Sequence, residues 1–221
     1  VAERSGSCRV FPVGAITKNR ESKELAEIGE MVEAGAVAIS DDGGYLENSR
    51  LMRRAMEYAS TFNIRIIQHA EDHSLTAGGA ANEGILNATI GLKPMPAVAE
   101  TIGVMRDIAL AEYLNLPVHI AHISVAEAVQ AVRDAKARGV QVTCEVTPHH
   151  FTLTEWAAEE FDTNAKMSPP LRTKNDVEAM VAGLADGTID CIATDHAPHH
   201  VDRKDCEFDI AAFGIVGLET S

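Results

Sequence analysis

Basic residues are scarce in this 221-residue sequence relative to acidic ones. Lysine and arginine together number 19, against 33 aspartates and glutamates, which leaves a formal net charge of −14. Nucleic acids and anionic membranes are bound through a basic face, so this balance argues against both as partners. The sequence also lacks the ~18 consecutive apolar residues of a membrane span and the charged start and apolar run of a signal peptide.

Closely spaced cysteines are missing as well. Cys8, Cys144, Cys191 and Cys206 form no C-x-x-C pair, which excludes a zinc knuckle and a thioredoxin motif. Cys144 and Cys191 lie in apolar runs. We therefore expect buried free thiols in a reducing compartment, and hence a cytoplasmic enzyme.

Short apolar runs alternate with segments of helical periodicity along the whole chain. The runs, which are rich in Val and Ile, predict strands at 9–14, 36–40, 64–70, 117–123, 140–146 and 189–194. About six β–α units imply parallel strands, either in an open doubly wound sheet or in a (β/α)8 barrel. No glycine-rich phosphate-binding loop follows the first predicted strand. This makes a nucleotide-binding protein with an open sheet less favoured.

The segments between the runs predict helices from the spacing of their apolar residues. One such stripe consists of Val98, Ile102, Met105 and Ala109, which we expect to face the core. A second helix begins near Val125, and a third ends at Gly187. Ser124 and Glu127 have the spacing of a capping box for the second helix.

Carboxylate and imidazole side chains follow several of the predicted strands, which are otherwise apolar. They include Asp41 and Asp42, His69, His122 and Asp195. Burying such groups is costly unless they are paired or bound to a metal. Imidazole and carboxylate without thiolate suit zinc, manganese or iron. We predict a metal site at the carboxyl ends of the strands; the alternative is a buried hydrogen-bonded network.

Side-chain alternation along a strand narrows the choice of ligands. His119 and His122 are three residues apart, so we expect them on opposite faces, with His122 as the ligand and His119 packed outside. Likewise, only one of Asp41 and Asp42 can point inward. We place three further histidines, His149, His150 and His200, in loops or behind the ligands.

Five motifs in order carry a family resemblance. They are SDDG at 40–43, QHAED at 68–72, HIAHIS at 119–124, CEVTPHH at 144–150 and ATDHAPH at 193–199. The segments PVGAITK at 12–18 and SPPLR at 168–172 match as well. Together they resemble dihydroorotases of the amidohydrolase superfamily, in the larger Asp-Asp-Gly form.

The resemblance implies a (β/α)8 TIM barrel with one or two Zn²⁺ ions and a small β-domain. It implies reversible interconversion of dihydroorotate and N-carbamoyl-L-aspartate in pyrimidine biosynthesis. Carried over residue by residue, the metal ligands are Asp42, His69, His122 and Asp195, with Asp42 bridging and Asp195 also the general acid/base. His199 and Ser168 are the implied substrate contacts.

Two departures from the family pattern stand out. The sequence contains no His-x-His, which the family carries on its first strand, followed shortly by an Arg that clamps substrate. The six predicted strands match strands three to eight, so residues 1–221 form a partial barrel domain without the first two strands and the small β-domain. Since the sequence begins at Val1, we expect a fragment of a longer protein that is inactive alone. The second departure is Ser168, where the family usually has Asn.

Other functions stay open at this point. A dihydroorotase-like protein can serve as a non-catalytic scaffold for aspartate transcarbamoylase, and allantoinase and hydantoinase are related cyclic amidases. Hydantoinases use a carboxylated Lys where this chain has Asp42, which makes that activity less favoured. The expected partners are a small-molecule substrate and either a second copy of the chain or aspartate transcarbamoylase.

Overall fold

The computed structural model describes residues 6–221, and a parallel sheet is its central element. The strands are β1 (Val13–Gly14), β2 (Ala38–Ile39), β3 (Arg65–Gln68), β4 (Ala81–Asn82), β5 (Pro94–Met95), β6 (Val118–Ile120), β7 (Val142–Val146) and β8 (Cys191–Ile192). Six of them pair in the order β1-β2-β3-β6-β7-β8. Every pairing in this sheet is parallel. The six predicted strands are thus confirmed, although each is shorter than predicted.

Helices connect successive strands of the sheet. They are α1 (Ile28–Glu33), α2 (Ser49–Ser60), α3 (His73–Thr76), α4 (Ile85–Ile90), α5 (Ala97–Leu114), α6 (Ala126–Ala137), α7 (Pro148–Thr152) and α8 (Lys174–Asp186). Helix α8 ends at Gly187, whose φ of 78° is readily adopted only without a side chain. No helix within residues 6–221 combines the length and apolarity that crossing a bilayer requires.

One face of the sheet packs against the helices. In β7, Val142, Cys144 and Val146 are buried in the same core cluster as Val129 and Val132 of α6. Their alternate neighbours in β7 are only partly buried and point to the opposite side. We call that opposite side the open face of the sheet.

Two expectations about the open face are wrong. His119 pairs with Thr143 and lies on the open face, not outside against the helices. Side-chain alternation along a strand does not apply to His122, because β6 ends at Ile120 and His122 has a φ of 31°. It therefore could not assign His119 and His122 to opposite faces. Cys191 is exposed rather than buried, since it lies on the edge strand β8 beside Glu145.

Helix α5 is present as predicted but turns a different face to the core. Val98, Ile102 and Met105 are 51%, 43% and 57% exposed. The buried side instead includes Val104 and Ile108, together with two acidic residues described below. Helix α5 is apolar on nearly all sides, so apolar spacing alone did not identify its buried face.

The predicted capping box at the start of α6 is also wrong. Ser124 makes no side-chain cap for this helix. The Glu100 carboxylate of α5 accepts hydrogen bonds from the backbone N–H of Ser124 at 2.7 Å and of Val125 at 3.2 Å, and from the Ser124 hydroxyl. A carboxylate from a neighbouring helix therefore satisfies N–H groups at the start of α6.

The parallel arrangement gathers the carboxyl ends of the six strands at one edge of the sheet. A separate parallel pair, β4 with β5, was not predicted and lies in the connection between β3 and α5. Loops leaving that edge carry the predicted ligands Asp42, His69, His122 and Asp195.

Candidate metal centre

Three predicted ligands converge at the carboxyl edge of the sheet. His69 Nδ1 lies 3.0 Å from His122 Nε2. Asp42 Oδ1 lies 3.3 Å from each of these two nitrogens. Both histidines are 3% exposed, whereas the Asp42 side chain is 47% exposed. The three atoms form a compact triangle that is reached from solvent on the aspartate side.

The loop after β2 separates the roles of its two aspartates. Asp41 is buried and accepts hydrogen bonds from the backbone N–H groups of Ile16 at 2.8 Å and Thr17 at 3.0 Å, and from the Thr17 hydroxyl. It ties the loop after β2 to the loop after β1. Asp42 is left to face the histidines, which confirms that only one aspartate points inward.

A further carboxylate, that of Glu71, fixes the orientation of His69. Glu71 Oε2 lies 2.8 Å from His69 Nε2, and Glu71 also accepts from the Thr76 hydroxyl. Burial alone would raise the pKa of Glu71, but His69 and Thr76 outweigh it and lower the pKa to about 2. An ionised Glu71 can only accept, so His69 Nε2 carries a proton and Nδ1 is the nitrogen available to a cation.

The charges of the triangle depend on one another. Burial disfavours ionised Asp42, but hydrogen bonds from His122 and His69 overcome this and hold its pKa well below its usual range. Burial likewise opposes a charge on His69, but Asp42 and Glu71 raise its pKa to about 9. Without a metal, positive charge on the His69 imidazole therefore compensates the neighbouring Asp42 and Glu71 carboxylates.

The donor set and its spacing fit a zinc-class cation. Ligand atoms about 2.0–2.1 Å from a tetrahedral ion lie about 3.3 Å apart. The three distances in the Asp42–His69–His122 triangle are 3.0, 3.3 and 3.3 Å. Two imidazole nitrogens that face each other cannot both present lone pairs unless a proton or a metal ion lies between them. His122 Nδ1, on the far side of its ring, is buried and has no hydrogen-bond partner within the described part of the chain. The triangle can thus hold a divalent metal.

Asp195 faces the same cavity as the triangle. The cavity has a volume of about 530 Å³, and Asp42, His69, Glu71 and Asp195 all line it. Asp195 follows β8 with a φ of 45°. Burial raises its pKa, opposed by His122. A carboxyl group with a raised pKa beside a cation site can accept and return a proton.

The two predicted substrate contacts lie in different environments. Ser168 lines the cavity, and its hydroxyl donates to Glu71 at 3.3 Å. His199 is exposed and does not line the cavity; its Nε2 lies 2.8 Å from the carbonyl oxygen of Phe213, which does. The structure therefore brings Ser168, but not the His199 ring, to the cavity.

Three further histidines lie outside the triangle. His149 and His150 are buried in the short helix α7, and His200 is exposed. Burial, with a further effect of His122, lowers the pKa of His149 to about 4. His150 Nε2 lies 2.9 Å from the carbonyl oxygen of Pro169, so His150 supports the loop that carries Ser168.

Sequence reasoning did not assign a role to Glu71 or Lys166. Glu71 lies two residues after His69, and that proximity was the available signal. Lys166 is 1% exposed, and its ammonium group donates to the carbonyl oxygens of Phe208 at 2.7 Å and Asp209 at 3.0 Å. Nothing in the local sequence marks Lys166 as buried, since its acceptors are about 40 residues away.

Comparison with known proteins places this geometry in a family. Residues 2–128 match the model of the family described as dihydro-orotase-like. The chain belongs to this family. It is 58% identical over 217 residues to a dihydroorotase of Pelobacter propionicus, covering 98% of this chain and 51% of that protein. It is 56% identical over 220 residues to a dihydroorotase of Trichlorobacter lovleyi, covering 100% of this chain and 52% of that protein.

Solved structures support the fold. The L-hydantoinase (dihydropyrimidinase) of Arthrobacter aurescens superposes with a TM-score of 0.79 at 23% sequence identity, over 96% of this chain and 49% of that one. This likeness confirms an α/β fold of the TIM-barrel type, of which this chain forms a part. The chain spans about half the length of the curated relatives it matches.

Proposed function

We propose that the protein is a dihydroorotase, which interconverts dihydroorotate and N-carbamoyl-L-aspartate with the help of Zn²⁺. The single observation that carries the proposal is the convergence of Asp42, His69 and His122 beside a cavity that Asp195 also lines. Family membership and relatives named dihydroorotase support the substrate. A cytoplasmic role in pyrimidine biosynthesis follows from the same proposal.

The residues divide the chemistry among them. A divalent metal held by Asp42, His69 and His122 would acidify a water molecule and polarise the cyclic amide carbonyl. Glu71 accepts a hydrogen bond from His69 Nε2, which leaves His69 Nδ1 available to hold that metal. Asp195, also a proposed ligand, takes the proton of the attacking water and delivers it to the leaving nitrogen, which is general acid/base catalysis.

Substrate binding falls to the loops around the cavity. Ser168 presents its hydroxyl at the cavity wall and takes the place of an amide side chain usual in the family. We keep His199 as a substrate contact; its ring must turn away from the carbonyl of Phe213 to reach the cavity. Both assignments predict a loss of substrate affinity on mutation while metal binding is retained.

The domain organisation is part of the proposal. Residues 1–221 form barrel strands three to eight, and polypeptide outside them supplies the first two strands, the small β-domain and the remaining metal ligands. A second copy of the chain and aspartate transcarbamoylase are the proposed protein partners. On this account the 221 residues alone bind metal but do not turn over dihydroorotate.

A chimera tests the proposal directly. The 217 matched residues of the Pelobacter propionicus dihydroorotase are replaced by this chain, so that the relative supplies the rest of the protein. We expect zinc-dependent hydrolysis of dihydroorotate that is lost in Asp195→Asn, while Asp190→Asn, on the helix-facing side next to Cys144, serves as the matched control. Asp190→Asn should retain turnover.

Two outcomes would overturn the assignment. Turnover of hydantoin or allantoin but not of dihydroorotate would replace it with another cyclic amidase. A folded chimera that retains neither zinc nor turnover would favour the non-catalytic scaffold for aspartate transcarbamoylase.

A further inference from the structure

A second group of metal-ligating side chains lies on the open face of the sheet. Register places His119 of β6 beside Thr143 of β7, and Glu145 of β7 beside Cys191 of β8. Paired residues of parallel strands point to the same side, so all four side chains share the open face. None of them belongs to the Asp42–His69–His122 triangle.

The four side chains approach one another closely. His119 Nε2 lies 3.1 Å from Glu145 Oε2. One ligand atom each from His119, Glu145 and Cys191 lies within 4.8 Å of the other two. The His119 and Glu145 side chains are only 13% and 21% exposed, whereas Cys191 is exposed. The three ligand atoms are therefore already close enough to share one ion.

Thr143 orients the imidazole of this group. Its hydroxyl oxygen lies 2.8 Å from His119 Nδ1. When Nδ1–H donates to Thr143, the free lone pair of Nε2 points at Glu145. The lone pair of His119 Nε2 and the Glu145 carboxylate oxygen, 3.1 Å apart, would repel each other. A cation between them, either a proton or a metal ion, removes this repulsion.

We propose that His119, Glu145 and Cys191 form a second cation site, which binds a zinc-class divalent ion through one nitrogen, one oxygen and one sulfur. These ligand types suit zinc, and three protein ligands leave a fourth position for water. On binding, the Cys191 thiol releases its proton to solvent and its sulfur bonds the metal. The ion would tie β8 to its neighbour β7 and to β6.

The sulfur ligand makes the site separable from the Asp42–His69–His122 triangle, which has none. The 221-residue chain is titrated with Co²⁺, and the near-ultraviolet sulfur-to-cobalt charge-transfer band is recorded. We expect the band in the unmodified chain and in Asp42→Asn. It should disappear in Cys191→Ser and persist in the control Cys206→Ser, whose thiol lies outside the site. Thr143→Val should weaken Co²⁺ binding 10- to 100-fold.

A second measurement needs no variant. Zn²⁺ should protect Cys191 from alkylation by iodoacetamide, as read by peptide mass spectrometry, while exposed Cys8 stays reactive. Far-ultraviolet circular dichroism confirms that each protein tested is folded. A band that survives in Cys191→Ser, or equal alkylation of Cys191 with and without Zn²⁺ in the folded chain, would overturn the proposal.

Discussion

The Glu100 carboxylate and the Arg172 guanidinium lie 3.5 Å apart and are each 4% exposed. Arg172 also donates to the Ser124 hydroxyl oxygen at 3.1 Å and to the Asn82 amide oxygen at 2.8 Å. This buried pair connects helix α5 to the loop after His122 and to the segment after Ser168. It stabilises the backbone on two sides of the candidate metal centre.

Removing Glu100 should therefore be strongly destabilising. Glu100→Ala leaves a buried guanidinium without its partner and frees the N–H groups at the start of α6, so we expect a loss of about 3–5 kcal/mol. Urea denaturation measures it. The exposed pair of Glu112 with Arg138 is the control, and Glu112→Ala should cost less than about 1 kcal/mol. Equal losses in the two variants would contradict a special role for the buried pair.

Asp107 should make stability depend on pH. It is fully buried on α5, and burial raises its pKa to about 7 despite the adjacent Arg106. Arg106 Nε lies 2.8 Å from Asp107 Oδ1. The two groups are nevertheless misaligned, and neither carboxylate oxygen has a hydrogen-bond partner among the described residues. The buried ring of Tyr45 lies under the Arg106 guanidinium. Burial and the Asp107 carboxylate raise the pKa of the Tyr45 hydroxyl.

The sign of this effect follows from proton binding. Between the ordinary pKa of an aspartate and about 7, the folded chain keeps a proton on Asp107 that the unfolded chain has lost. The stabilising contribution of Asp107 is therefore complete at low pH. As the pH rises to about 7, the free energy of unfolding falls by up to about 4 kcal/mol. Asp107→Asn should gain stability relative to the unmodified chain between pH 5 and pH 8, measured by urea denaturation at each pH. A stability difference that does not change with pH would refute this assignment; exposed Asp134→Asn is the control.

Lys166 should hold the segment after β8 in place. Its ammonium group donates to two backbone carbonyls and lies 4.4 Å from the centre of the Phe213 ring. Lys166→Met keeps most of the aliphatic volume but leaves buried carbonyl oxygens without a donor, so we expect a loss of about 1–3 kcal/mol. Limited proteolysis should cut near residues 205–213 faster. The exposed Lys174→Met should change neither the stability nor the cleavage rate.

The sequence predicted the elements more reliably than their surroundings. Strand periodicity located six parallel strands, and the strand ends identified Asp42, His69 and His122, because the carboxyl ends of parallel strands meet at one edge. The exposed stripe of α5 and the position of His119 were misjudged. The buried face of α5 and the position of His119 both depend on which other elements pack against α5 and β6. The spacing of residues in the local sequence carries no information on those neighbours.

Distant pairings explain the rest of what was missed. The Glu100 carboxylate binds the N–H groups of Ser124 and Val125 just before α6, although Glu100 and Ser124 are 24 residues apart in sequence. Lys166 is buried by carbonyl groups more than 40 residues away. Such partners exist only once the chain is folded, so a reading of local sequence could not find them.

Zinc should stabilise the folded chain through the triangle. Among residues 6–221, Cys191→Ser leaves the Asp42–His69–His122 group as the complete set of three ligands. In that variant, zinc at 100 times its dissociation constant should add about 2.7 kcal/mol to the free energy of unfolding. Adding His122→Ala should abolish that gain. Thermal denaturation with and without zinc provides the measurement, and a persistent gain in the double variant would show that zinc binds elsewhere.

X-ray absorption at the zinc edge tests the central claim most directly. With one equivalent of zinc on the Cys191→Ser chain, we expect imidazole nitrogen and carboxylate oxygen at about 2.0–2.1 Å and no sulfur. The imidazole contribution should fall when His69 is replaced by alanine. A spectrum that lacks imidazole, or one that His69→Ala leaves unchanged, would contradict a cation site formed by Asp42, His69 and His122.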